Sequence, residues 1–183
     1  MTYKIIVPRQ PVPKLDVPLV NGENFVLGNS PGEHFDLLIF YRGLHCPICA
    51  KYLLELEQLA TEFISRGIQV VAFSNDTQER GQLMAEKINA KGIKISYELG
   101  LQNARQWGLY ISATRGKSSI GIEEPALFSE PGIFLVRPDG TLYFGSVQTS
   151  PFARPRFQDL LSLIDFAIDR NFPPARGEYS GEV

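Results

Sequence analysis

The chain has 183 residues, 44% of them hydrophobic, which suits about one domain with a substantial buried core. Its formal charge is −2 and its 18 lysines and arginines are scattered, which argues against a nucleic-acid stripe and a basic membrane-binding face. The opening MTYKIIVPRQPVP is too short in apolar run and too broken by proline for a secretory leader, and no segment reaches the length of a membrane span.

In chain order, DVPLVNGENFVL (16–27) sets Asn-Gly between two apolar segments and predicts a small N-terminal hairpin. FDLLIFY (35–41) is almost unbroken apolar and reads as a central strand covered on both faces. From Pro47, the residues Leu53, Leu56, Leu59, Ala60, Phe63 and Ile64 recur at helical spacing until Arg66-Gly67, predicting one helix. IQVVAFS (68–74) reads as a second buried strand, followed by a helix from about Thr77 to Ala90 and a short strand in IKISYEL (93–99). A brief helix near Asn103 to Trp107 ends at Gly108, and Trp107 and Tyr110 read as packing aromatics. Ile111 to Glu130, rich in Ser, Gly, Thr and Pro, is longer than an ordinary connection and predicts a functional loop or an insertion. Two strands around Pro-Asp-Gly in GIFLVRPDGTLYFGSV (132–147) and an amphipathic helix from about Phe157 to Arg170 complete the pattern, ahead of a weakly ordered tail at 171–183. The order predicts a single α/β domain over 1–183, with its core at about 11–170 and a mixed sheet flanked by helices.

Both cysteines lie in FYRGLHCPIC (40–49), between the central strand and the first helix. Pro47 suits the first helical position, which makes Cys46 the N-cap. There its sulfur accepts a hydrogen bond from the Ile48 or Cys49 amide and feels the positive end of the helix, both of which favour thiolate. Arg42 and, when protonated, His45 add positive charge. Cys49 lies over the same face within disulfide reach, so one sulfur attacks and the other resolves the mixed disulfide. With no leader pattern and no membrane-length run, the sequence predicts a cytoplasmic protein, where structural disulfides are rare and a close cysteine pair is more often reactive. Zinc is the weaker reading, because its four ligands would have to be Cys46, Cys49, His34 and His45, and His45 adjoins Cys46. Two merely packed cysteines form the remaining alternative.

FYRGLHCPIC, the hairpin LVNGENFVL and the late GIFLVRPDG together resemble the peroxiredoxin-like branch of the thioredoxin-fold superfamily, the alkyl hydroperoxide reductase and thiol-specific antioxidant family, over roughly residues 11–170. Peroxiredoxins carry P-x-x-x-T/S-x-x-C before the first helix. Aligned without gaps, Arg42 takes the proline, Cys46 the Thr/Ser and Cys49 the peroxidatic cysteine. Their active-site arginine precedes a late strand, and Pro131 stands there instead. The last two departures point toward thioredoxins, which have a cysteine at the first position and a cis-proline at the second. The resemblance thus implies a thioredoxin-like fold with a thioredoxin-type site, in which a cis Glu130–Pro131 bond faces the cysteine pair.

The expected activity is thiol–disulfide exchange in redox homeostasis or antioxidant defence, with Cys46 attacking, Cys49 resolving, and Pro131, Arg42, His45 and Pro47 shaping the site. The first rival is a hydroperoxide-reducing peroxidase with Cys49 peroxidatic, Cys46 resolving and Arg42 polarising the peroxide; the second is a metal-binding module. The leading reading requires no cofactor and no metal. Its partners are a disulfide-containing protein, a small thiol or a hydroperoxide as substrate, and a thiol reductant such as thioredoxin or glutathione; nucleic acid and membrane are not among them, and a homodimer is allowed. Arg154 and Arg156, in SPFARPRF, border the site in this fold and are candidates for touching substrate.

Overall fold

The computed structural model describes residues 5–171, 176–179 and 181. Asn21-Gly22 turns the chain between β1 (Asp16–Pro18) and β2 (Asn24–Val26), with Gly22 at φ +87°, a conformation that costs glycine little. The two strands pair antiparallel, so the N-terminal hairpin is present as read.

The apolar run after it forms β3 (Phe35–Phe40), with all six residues buried. β3 is the middle of a five-stranded mixed sheet, parallel to β4 (Ile68–Phe73) on one side and antiparallel to β8 (Gly132–Val136) on the other. The edges are β5 (Lys94–Ile95), parallel to β4, and β9 (Leu142–Val147), antiparallel to β8. Because side chains alternate along a strand, β3 feeds two cores. Leu37 and Ile39 join Leu53 of α1 (Pro47–Gln58), Met84 of α3 (Gln78–Lys87) and Leu160 of α5 (Phe157–Arg170). Leu38 and Phe40 join Val17 and Phe25 of the ribbon, Ala104 of α4 (Leu101–Gln106) and Trp107. Burial on both faces is the reason β3 reads as an unbroken apolar run rather than an alternating one.

Three expectations need revision. The helix from Pro47 is two pieces, because α1 ends at Leu59 (φ −100°, ψ 1°) and α2 covers Ala60–Ile64. The Leu59 amide is shared between the carbonyls of Glu55 and Leu56, the tightening common at a helix terminus. The strand in IKISYEL shrinks to β5 because the chain leaves the sheet after Ser96, whose amide still bonds Ala72, and Tyr97 turns to the carbonyl of Pro18. The segment from Ile111 to Glu130 contains an antiparallel pair, β6 (Ile111–Ala113) with β7 (Leu127–Ser129), and so forms a hairpin. The expected tail lies in part outside the described residues. No helix among those described is long and apolar enough to cross a membrane.

Trp107 is fully buried, with its ring centroid 5.3 Å from that of Phe40 and 4.9 Å from that of Phe134. It locks the sheet to the end of α4. Trp107→Ala should lower unfolding free energy by about 3–5 kcal/mol, the usual cost of an aromatic cavity, as read from the midpoint of a urea transition.

Candidate active site

The turn from β3 into α1 is built by backbone bonds around a buried carboxylate. The Asp76 carboxylate, in the turn after β4, accepts the Leu44 amide at 2.6 Å and pairs with the Arg80 guanidinium at 2.9 Å. Gly43 sits at φ +133°, and a Cβ there would lie 2.7 Å from Asp76 Oδ2, so glycine is required both for the backbone and for the close approach. Cys46 then caps α1, with Pro47 in its first turn, and the Cys49 amide donates to Cys46 Sγ at 3.2 Å. The N-cap placement of Cys46 agrees with the sequence.

Both cysteines are buried free thiols, and they share the available stabilisation unequally. Burial by itself pushes the Cys49 thiol up. Against it act a hydrogen bond from the Cys46 thiol, the charge of Arg154, the Arg42 backbone amide and a hydrogen bond from Arg154, which together bring Cys49 down to about 7. Arg154 Nη2 donates to Cys49 Sγ at 3.0 Å while its guanidinium lies 4.6 Å from the centre of the Tyr52 ring. Tyr52 in turn donates its hydroxyl to the Pro155 carbonyl at 2.6 Å, which ties the loop carrying Arg154 to α1. Cys46 moves the other way: its hydrogen bond to Cys49, burial and the Cys49 charge raise its pKa, and the N-cap amide and Arg42 do not compensate. The expected order of acidity is therefore reversed. An N-cap supplies one amide, whereas Cys49 has a guanidinium.

Other expected site residues also take different parts. The Glu130–Pro131 bond is trans, since no cis peptide occurs among the described residues. Pro131 is buried, and its carbonyl accepts the Gln148 amide at 3.0 Å, continuing the pairing of β8 with β9. That carbonyl is thus engaged within the sheet. Arg42 lies 3.6 Å from both Glu124 and Glu130 and 4.7 Å from the centre of the Phe128 ring, so its charge is directed to the β6–β7 hairpin. Its amide, rather than its guanidinium, serves Cys49. His45 is buried edge-on to Phe128 at 4.7 Å, and burial followed by the Arg42 charge lowers its pKa to about 4. It is therefore neutral at pH 7 and does not contribute the positive charge that its protonated form would add. Among the described residues no group of three or more His, Cys, Asp and Glu is arranged to hold a metal ion.

The profile of the AhpC/TSA family matches residues 8–144. The chain belongs to that family. Solved structures agree on the fold. Peroxidoxin BcpB from Mycobacterium tuberculosis is 21% identical, with TM-score 0.68 over 90% of this chain and 99% of that one. The yeast mitochondrial 1-Cys peroxiredoxin is 15% identical, with TM-score 0.71 over 91% and 78%. A putative thiol:disulfide interchange protein DsbE from Chlorobium tepidum is 18% identical, with TM-score 0.65 over 89% and 98%. No curated protein matches the sequence. Family membership supports a thiol-dependent redox function, and within this AhpC/TSA chain the arginine next to the sulfur comes from the loop before α5 instead of the start of β8.

Arg154→Ala should move the titration of Cys49 from about 7 up toward the ordinary thiol value, while Arg154→Lys should give an intermediate shift. Ultraviolet absorbance of the thiolate against pH measures it. A Cys49 titration unmoved by Arg154→Ala would show that the guanidinium does not hold the charge.

Proposed function

We propose that the chain is a thiol peroxidase with Cys49 peroxidatic and Cys46 resolving. The observation that carries this reading is the 3.0 Å contact from Arg154 Nη2 to Cys49 Sγ, which favours thiolate at Cys49 and sets a fixed positive group beside the reacting atom. Arg154 Nε and Nη1 are buried without a hydrogen-bond partner among the described residues, which leaves donors for the oxygen that becomes negative. The Cys49 thiolate attacks the terminal peroxide oxygen, the O–O bond breaks, and the departing alkoxide takes a proton from water, leaving Cys49 as sulfenic acid and the substrate as an alcohol. Cys46 then gives up its proton and attacks the Cys49 sulfur. Hydroxide leaves as water and the disulfide forms. Two electrons from an external thiol reductant restore both thiols. Thioredoxin and glutathione are the candidate classes, and the yeast relative's resolving mechanism runs through glutathione/thioredoxin systems.

The second reading is disulfide exchange with Cys46 attacking, favoured by its N-cap position and the Cys49 amide on its sulfur. The two differ in which sulfur reacts first. In Cys46→Ser, hydrogen peroxide should generate a sulfenic acid at Cys49 that dimedone traps, whereas Cys49→Ser should give little adduct. The wild-type protein should end as the Cys46–Cys49 disulfide by peptide mass spectrometry. Adduct at Cys46 in Cys49→Ser with none at Cys49 in Cys46→Ser would reverse the order of the two readings.

A further inference from the structure

We propose that the cleft on the outer side of Arg154 is a subsite for the carboxylate of an organic hydroperoxide, so that the enzyme favours anionic organic peroxides. This rests on the peroxidase reading and names its substrate class. The cleft, about 210 Å³, lies between α1 and the loop at 151–156. It is smaller than the roughly 300 Å³ at which pockets begin to enclose drug-sized ligands, so it suits a short or single-ring molecule.

Its lining combines two kinds of surface. Lys51, Arg154 and Arg156 supply positive charge against the single carboxylate of Glu55. Phe152, 76% exposed, and the Tyr52 ring supply apolar wall. Hydrogen peroxide is small and neutral and uses neither. A large exposed aromatic beside three cations matches a ligand with an apolar body and a negative end, since both the charge and the uncovered ring are then satisfied by one molecule.

Arg154 belongs to both places, because it lines the cleft and touches Cys49. Cys49 is fully buried and does not itself line the cleft, so on this assignment the peroxide group reaches the sulfur alongside the guanidinium, while the carboxylate remains outside with Lys51 and Arg156. The carboxylate takes no part in the chemistry: the O–O bond is reduced to an alcohol and Cys49 is oxidised to the sulfenic acid, as for any hydroperoxide.

Three probes test the assignment: cumene hydroperoxide, its para-carboxylate and hydrogen peroxide. Rates of Cys49 oxidation come from rapid quenching and mass spectrometry, each divided by the same protein's rate with hydrogen peroxide. At low salt the carboxylate should be preferred over uncharged cumene hydroperoxide by about tenfold, and the preference should shrink as salt rises. Lys51→Gln with Arg156→Gln, both at exposed positions, should bring the ratio to about one. Equal rates for the two cumene compounds in the wild-type protein, or a preference that survives the double substitution, would overturn the subsite and leave the peroxidase intact. Failure of all three probes to oxidise Cys49 would instead remove the peroxidase reading, and the subsite with it.

Discussion

A sulfur anion in an apolar interior is costly unless a counter-charge and hydrogen-bond donors come with it. Cys49 is completely buried, and the organisation of this end of the molecule follows from meeting that requirement. The charge arrives from Arg154, 105 residues away in the chain, and the neutral donors come from Cys46 and the Arg42 amide. Arg154 can supply it only because α5 packs its Phe157 and Leu160 into the same core as Leu53 of α1, which brings the loop ahead of α5 over the start of α1. The Tyr52 hydroxyl on the Pro155 carbonyl then fixes that loop locally.

Two arginines lie near the cysteines, and the structure divides their work. Arg42 faces Glu124 and Glu130, with Ser112 also donating to Glu130 at 2.6 Å, so the β6–β7 hairpin absorbs its charge. Arg154 forms no comparable carboxylate pair among the described residues and directs its charge to sulfur. His45, between these charges and the Phe128 ring, stays neutral because an imidazolium there would be desolvated and would face Arg42. The result is one thiol lowered and one raised, the asymmetry that a nucleophile and a resolving partner need. It also explains how an AhpC/TSA chain tolerates proline at the position expected to carry arginine: Pro131 serves the sheet through its carbonyl, and the guanidinium enters from elsewhere.

Sequence by itself determined the features that depend on near neighbours in the chain. The unbroken run FDLLIFY sufficed for a doubly covered strand, Asn21-Gly22 for a hairpin, Pro47 after Cys46 for a capped helix start, and the spacing in 157–170 for α5 with both ends correct. Each is set by backbone preference or by a periodicity of a few residues. The β6–β7 hairpin escaped because its strands are three residues each and mostly polar or partly exposed, too short for a period to register. Only the tertiary structure decided which cysteine is the acid, since local geometry favours Cys46 and a distant guanidinium overrides it. Arg42 had the same ambiguity: adjacent in sequence, it looked like the cation of the site, yet the carboxylates that claim it come from a segment more than eighty residues later. Electrostatic energy depends on distance in space and on burial, and neither is encoded in the spacing of residues along a chain.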